Sequence, residues 1–152
     1  MLVESDCPPM KLKTIRPNYV SQFPASFEEG ILYISEEFET AGHLCCCGCG
    51  EKVITPLNPV KWQIRKDGDK VSLSPSIGNW NYACQSHYWI SQNQVVEAKK
   101  FDPKTIRAVQ RRDRRDMTRY IERTNAAAAA AKKHKPSFAS KVNEWLRRLL
   151  GS

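Results

Sequence analysis

The chain has 152 residues, 41% of them hydrophobic, and a formal net charge of +8. This length favours one domain with an appendage. No apolar run approaches the roughly 18 residues that a membrane-spanning helix needs. The short acidic stretch at residues 1–9 is also unlike a secretory signal peptide. These features argue against a membrane-spanning or exported protein, and we expect a reduced, cytoplasmic setting.

The charge is divided unequally along the chain. Residues 1–98 contain 8 Lys/Arg against 11 Asp/Glu, a net charge of −3, whereas residues 99–152 contain 16 against 5, a net charge of +11. We therefore predict two parts. Residues 1–100 form a β domain held together by zinc, and residues 101–152 form a basic helical extension.

Alternating apolar residues predict short strands in the first part. Strands are expected at residues 11–16, 30–35 and 53–57. The clearest is Gly30–Ser35 (GILYIS), which is rich in β-branched and aromatic residues. The cysteine-rich stretch that follows it is expected to form a turn at a strand end.

Two hairpins are predicted next. One pairs residues 62–65 with 71–74 around the turn Asp67–Gly68, and the other pairs residues 88–90 with 94–96. The polar segment Ser74–Trp80 between them is predicted to be a turn-rich connection. The fold class is therefore α+β, with a small antiparallel β domain followed by helices.

Five of the six cysteines lie in two motifs, His43–Gly50 (HLCCCGCG) and Cys84–His87 (CQSH). Cysteines interleaved with glycines suit a tight turn that wraps sulfur around a metal. The Cys-x2-His spacing is that of a zinc half-site. Three consecutive cysteines cannot easily form disulfides with one another. The two motifs therefore predict one structural zinc site.

Two ligand sets are compatible with this pattern. The first uses only sulfur, from Cys45, Cys47, Cys49 and Cys84, and leaves both histidines free. The second uses Cys47, Cys49, Cys84 and His87. The choice between them decides whether His87 is available for chemistry.

The pattern changes to a helical one after residue 101. Asp102 and Pro103 predict a helix start, with Asp102 as the cap. The helix is expected to continue through the alanines at 126–131 and to break near 132–136. A second, strongly amphipathic helix is predicted from Phe138 to Leu149.

Four segments together resemble one protein family. They are Gly30–Ser35, His43–Gly50, Leu73–Gly78 and Cys84–Ile90. With them, residues 10–100 resemble BubE, a family of small bacterial proteins encoded beside ubiquitin-like proteins and E1-like and E2-like enzymes. The family usually has proline at the position of Cys46, which indicates that Cys46 is not an essential ligand.

The resemblance implies a serine-type peptidase with a structural metal that matures or removes a ubiquitin-like protein. Serine catalysis needs a hydroxyl beside a histidine and a partner that orients that histidine. We predict Ser76 as nucleophile, His87 as general base and His43 as the orienting or supporting residue. These roles require the all-sulfur ligand set. Ser74 and Ser86 are rival nucleophiles.

Two functions of other classes remain open. A zinc-stapled domain could bind a ubiquitin-like protein, or its E1-like and E2-like enzymes, without catalysis through the aromatic residues Trp62, Trp80, Tyr82 and Trp89. The arginine-rich extension could instead bind nucleic acid in a salt-dependent way. A catalytic zinc is the weakest alternative, because no His-Glu-x-x-His motif is present.

Overall fold

The computed structural model describes residues 9–133. These residues form two four-stranded sheets and one long helix, which confirms the predicted α+β class. The first sheet contains β1 (Arg16–Tyr19), β2 (Ile31–Ser35), β3 (Thr40–Leu44) and β4 (Lys52–Pro56). The second contains β5 (Gln63–Asp67), β6 (Lys70–Gly78), β7 (His87–Ser91) and β8 (Gln94–Glu97), and helix α1 spans Pro103–Lys133.

The first sheet has the strand order β1-β2-β3-β4, with a parallel β1–β2 pair and antiparallel pairs elsewhere. Strands β2 and β4 lie where the sequence predicted them. Strand β1 begins where the predicted strand 11–16 ends. Strand β3 was not predicted, because its residues Thr40–Leu44 are buried or half-buried throughout and show no alternation.

The second sheet is an antiparallel meander in the order β5-β6-β7-β8. Both predicted hairpins are present, with the first turn shifted by one residue because Asp67 pairs with Lys70. The prediction of an irregular connection at 74–80 was wrong, since β6 continues to Gly78.

An irregularity in β6 accounts for that error. Leu73 pairs with Ile90 and Ile77 pairs with Tyr88, so four steps along β6 match two steps along β7. The turn-forming residues between Leu73 and Ile77 therefore produce a bulge within the strand.

The core is formed by side chains from both sheets. Leu32 and Ile34 of the first sheet lie in the same buried cluster as Leu73, Ile77 and Ile90 of the second, and each is at most 2% exposed. The period-two burial of β4, β6 and β7 follows from this arrangement, because alternate side chains point between the sheets.

A polar contact crosses this apolar core. His43 on β3 is fully buried, and its Nε2 lies 2.8 Å from the Tyr88 hydroxyl on β7. Its Nδ1 has no hydrogen-bond partner among the described residues. Burial lowers the pKa of His43 to about 4, so the ring is neutral at pH 7.

Helix α1 begins as the sequence predicted. Asp102 Oδ1 accepts hydrogen bonds from the backbone N–H of Lys104 at 2.9 Å and of Thr105 at 3.1 Å. None of the helix residues is fully buried. Among residues 9–133, no helix is long and apolar enough to cross a membrane. The predicted helix at 138–149 lies outside the described residues.

The chain divides into two compact units, Met1–Asp113 and Arg114–Ser152. Both sheets and the first turns of α1 belong to the first unit. The division at residue 100 stays a prediction.

Replacing Tyr88 by phenylalanine tests the polar contact in the core. Tyr88→Phe leaves His43 buried without its hydrogen bond, so we expect the free energy of unfolding to fall by about 1–3 kcal/mol. Urea denaturation measures it. Tyr33→Phe is the matched control, because the Tyr33 hydroxyl accepts only a 3.3 Å bond from a part-buried backbone N–H. If the free energy of unfolding falls equally in the two variants, leaving buried His43 without its hydrogen bond has no particular cost.

Candidate functional site

Four cysteine sulfurs converge at one point between the two sheets. The Sγ atoms of Cys45, Cys47, Cys49 and Cys84 all lie within 4.8 Å of one another. Cys45 Sγ is 3.3 Å from Cys47 Sγ and 4.0 Å from Cys84 Sγ. Sulfur ligands of a tetrahedral zinc are roughly 3.8 Å apart, since each Zn–S bond is about 2.3 Å. All four are free cysteines, and the cluster can hold a metal ion.

The turn after β3 supplies three of these sulfurs because its glycines permit a tight path. Gly48 and Gly50 have φ values of +87° and +83°, in the region that side chains rarely adopt. At Gly48 a Cβ atom would also lie 2.6 Å from the Lys11 side chain. The fourth sulfur, of Cys84, comes from the loop that enters β7.

A polar shell surrounds the cluster. Ser86 Oγ lies 3.0 Å from Cys45 Sγ, and the Asn79 side-chain amide donates to Ser86 Oγ at 2.8 Å and to Cys45 Sγ at 3.4 Å. Such contacts orient metal ligands and stabilise thiolate charge. Ser86, a rival nucleophile in the sequence, is buried in this shell. Asn79 belongs to no motif that would have indicated this role from the sequence.

Cys46 and His87 lie outside the group of four sulfurs. Cys46 is fully buried, and burial raises the pKa of its thiol to about 12, which disfavours the thiolate. Both ring nitrogens of His87 contact oxygen atoms elsewhere. The arrangement thus corresponds to the all-sulfur set and not to the set with His87.

Ser76 and His87 are brought into direct contact. Ser76 Oγ lies 2.9 Å from His87 Nε2. The pairing of Gly78 with His87 explains this contact. Ser76 precedes Gly78 by two residues and so shares its face of the sheet, diagonal to His87.

A backbone carbonyl fixes the tautomer of His87. The Lys99 oxygen lies 2.6 Å from His87 Nδ1, and a carbonyl oxygen can only accept a hydrogen bond. Nδ1 of the neutral ring therefore carries the hydrogen and Nε2 presents its lone pair to Ser76. The Ser76 hydroxyl must then donate to His87.

Two aromatic rings enclose the imidazole of His87. The ring centroids of Trp80 and Phe101 lie 4.9 and 4.7 Å from that of His87, and the two rings stack on each other at 5.3 Å. Trp80 packs directly over Gly78, where a Cβ atom would come within 2.2 Å of the indole. His87 is only 6% exposed as a result, whereas Ser76 is half-buried.

His43 is not part of this arrangement. Its Nε2 contacts Tyr88 and its Nδ1 has no partner, so neither nitrogen contacts Ser76 or His87. The Lys99 carbonyl occupies the orienting position that the sequence assigned to His43. Lys99 could not be predicted from the sequence, because a backbone oxygen has no residue signature. Phe101 could not be predicted either, because a single aromatic residue in a linker carries no pattern.

Comparison with known proteins gives one family. The model of the BubE family, described as a serine protease of bacterial ubiquitination-like systems, matches residues 19–98, just over half of the chain. Searches among curated proteins and solved structures give no match. The match covers β2 to β8 and confirms the resemblance drawn from the sequence. The chain therefore belongs to the BubE family.

Proposed function

We propose that this protein is a serine-type peptidase that cleaves at the C-terminus of a ubiquitin-like protein, either to mature its precursor or to release it from targets. Ser76 is the nucleophile and His87 the general base. The observation that carries the proposal is the Ser76–His87 contact of 2.9 Å, with the tautomer of His87 fixed by Lys99. The family description supplies the reaction class and the kind of system.

The chemistry is an acyl transfer in two stages. His87 Nε2 removes the proton of Ser76 as Oγ attacks the scissile carbonyl carbon, and the protonated His87 then gives this proton to the leaving amine. An ester joins Ser76 to the ubiquitin-like protein. In the second stage water attacks this ester with the same proton transfers and frees the carboxylate and Ser76.

The groups around His87 suit this cycle. The Lys99 carbonyl orients the imidazole, as an aspartate does in the familiar serine triad, but with a dipole in place of a full charge. The ring centroids of Trp80 and Phe101 lie less than 5 Å from that of His87, and these rings shield the imidazole from water, so its Nε2 is directed to Ser76. His43 is left with a structural role.

We also propose that the four-cysteine cluster holds a structural zinc ion. Four thiolates complete a tetrahedral site and leave no open position for a reacting water molecule. Cys84 precedes His87 by only three residues, so a metal bound there would fix the entry to β7. A bound metal would thereby help a domain of two small sheets to hold the Ser76–His87 contact in place.

Removing the Ser76 hydroxyl tests the catalytic proposal. Ser76→Ala should lower kcat/KM for the ubiquitin-like precursor by a thousandfold or more, roughly the effect of losing a nucleophile. The measurement is cleavage of a ubiquitin-like precursor from a bacterial ubiquitination-like system, followed by mass spectrometry. Circular dichroism should show an unchanged fold.

Ser74→Ala is the matched control for this experiment. Ser74 lies two residues away on the same strand and is exposed, so its variant should cleave normally. If wild type and Ser76→Ala both bind the precursor and neither cleaves it, the protein is a binding module for the ubiquitin-like protein and not a peptidase.

Substitution of single cysteines tests the zinc proposal. Elemental analysis should find about one zinc per chain in the wild type and close to none in Cys84→Ala, whose free energy of unfolding should fall by about 4 kcal/mol or more. Cys46→Ala should retain the metal and lose only about 1 kcal/mol of packing. Loss of zinc from Cys46→Ala but not from Cys84→Ala would overturn the assignment.

A second candidate function is nucleic-acid binding through α1. Arg115, Arg119 and Arg123 are exposed and follow one another at four-residue spacing, which places like charges side by side on one helix face. Among the described residues the only ion pair on this helix is Arg112 with Asp113. Arginine side chains suit phosphate, because the guanidinium forms paired hydrogen bonds with it.

Salt dependence tests this second function. For a fluorescent duplex DNA, the triple change of Arg115, Arg119 and Arg123 to alanine should reduce the slope of log affinity against log salt by about 2–3. A control removes three positive charges from the β5–β6 hairpin, by changing Arg65, Lys66 and Lys70 to alanine. Equal slopes for wild type and the helix variant would exclude these arginines as phosphate contacts.

A further inference from the structure

An exposed apolar pair lies on the outer face of the second sheet. Trp89 on β7 and Val96 on β8 are direct cross-strand partners, 43% and 50% exposed. Their neighbours Tyr88, Ile90 and Val95 point the other way into the core. Trp89 and Val96 are therefore not needed for the packing between the sheets.

This pair shares its face with the serine–histidine contact. Trp89 follows His87 by two residues on β7, so both side chains project from the same side, with their Cα atoms roughly 7 Å apart. Ser76 projects from this side too, since it contacts His87. Trp80 and Phe101 pack on His87 and cover that end of the face, whereas Trp89 is exposed to solvent.

The substrate has to cross this face. Attack requires the scissile carbon to lie about 3–3.5 Å from Ser76 Oγ. Each extended residue next to that carbon advances the chain by about 3.3 Å. Trp80 and Phe101 cover the His87 end of this face, and the exposed apolar part of the face near His87 is at Trp89 and Val96. A chain seated at Ser76 that follows the open end reaches Trp89 and Val96 within two or three residues.

We propose that Trp89 and Val96 form the docking surface for an apolar side chain of the ubiquitin-like substrate, within three residues of the scissile bond. The inference rests on the proposed peptidase function and specifies what its site selects. Burial of an exposed indole against an apolar side chain is a strong source of binding energy at protein interfaces.

The other aromatic residues predicted as receptors are engaged in the structure. Trp80 stacks on Phe101, and the Tyr82 hydroxyl donates to the Lys52 carbonyl at 2.6 Å. Trp62 packs against the core cluster. Among these four predicted aromatic residues, Trp89 alone is largely exposed.

Substitution of Trp89 tests the docking surface. Trp89→Ala should lower kcat/KM for the ubiquitin-like precursor by roughly tenfold, and the loss should reside in KM and not in kcat, because a uniform binding contact is removed. Trp89→Phe should recover most of it. Val96→Ser should give a smaller loss in the same direction.

The matched control is Phe38→Ala. Phe38 is 58% exposed, more than Trp89, but lies in the turn between β2 and β3 of the first sheet. Its removal should leave KM unchanged. Equal KM values for wild type and Trp89→Ala, or equal increases in Trp89→Ala and Phe38→Ala, would overturn the docking surface.

A small fluorophosphonate probe separates this inference from the proposed function. The probe reacts with an activated serine without needing a docked protein, and it should label wild type but not Ser76→Ala. If wild type is not labelled and does not cleave, the peptidase function falls and the docking surface falls with it. If wild type is labelled and cleaves, the KM values above decide the docking surface alone.

Discussion

The convergence of four cysteine sulfurs is the constraint on which the rest of the site depends. Three of them follow β3 of the first sheet in one turn that contains two glycines, and Cys84 belongs to the loop between β6 and β7 of the second sheet. The two small sheets share one buried cluster of apolar side chains, and a small core supplies only modest stability. The sulfur cluster and the buried His43–Tyr88 contact each connect the two sheets at a defined point.

Short chain connections link the sulfur cluster to the Ser76–His87 contact. Ser86 contacts Cys45, and the next residue is His87. Asn79, which also contacts Cys45 and Ser86, follows Gly78, the cross-strand partner of His87. The serine–histidine pair is thus supported from both strands by residues of the sulfur cluster and its shell, and this explains how a strand bulge can hold a side chain accurately.

The sequence predicted features whose chemistry restricts residue types. The cysteine spacing predicted a compact sulfur site, and Asp102 followed by proline predicted the helix start. Alternation and turn residues predicted both hairpins of the second sheet. In each case the local pattern and the tertiary environment favour the same structure.

The missed features depend on tertiary contacts. Strand β3 is buried on both sides, so it shows no period, and Gly42 within it is needed because a Cβ would lie 2.9 Å from the Phe27 ring. The bulge in β6 uses residues that are also typical of turns. His43 is a residue type suited to catalysis, but the fold buries it in the core. The group that contacts His87 Nδ1 in its stead is the backbone oxygen of Lys99, and a backbone oxygen cannot be recognised in a sequence because every residue has one.

The linker after β8 contacts His87, although it lies outside the segment that matches the family. The family match ends at residue 98, whereas the oxygen that sets the His87 tautomer belongs to Lys99 and one wall of the imidazole to Phe101. Asp102 then anchors the first turn of α1. The imidazole and the helix are thus joined by a tether of three residues. The surroundings of His87 are therefore completed by residues outside the segment that matches the family, and those residues lead directly into the first turn of α1.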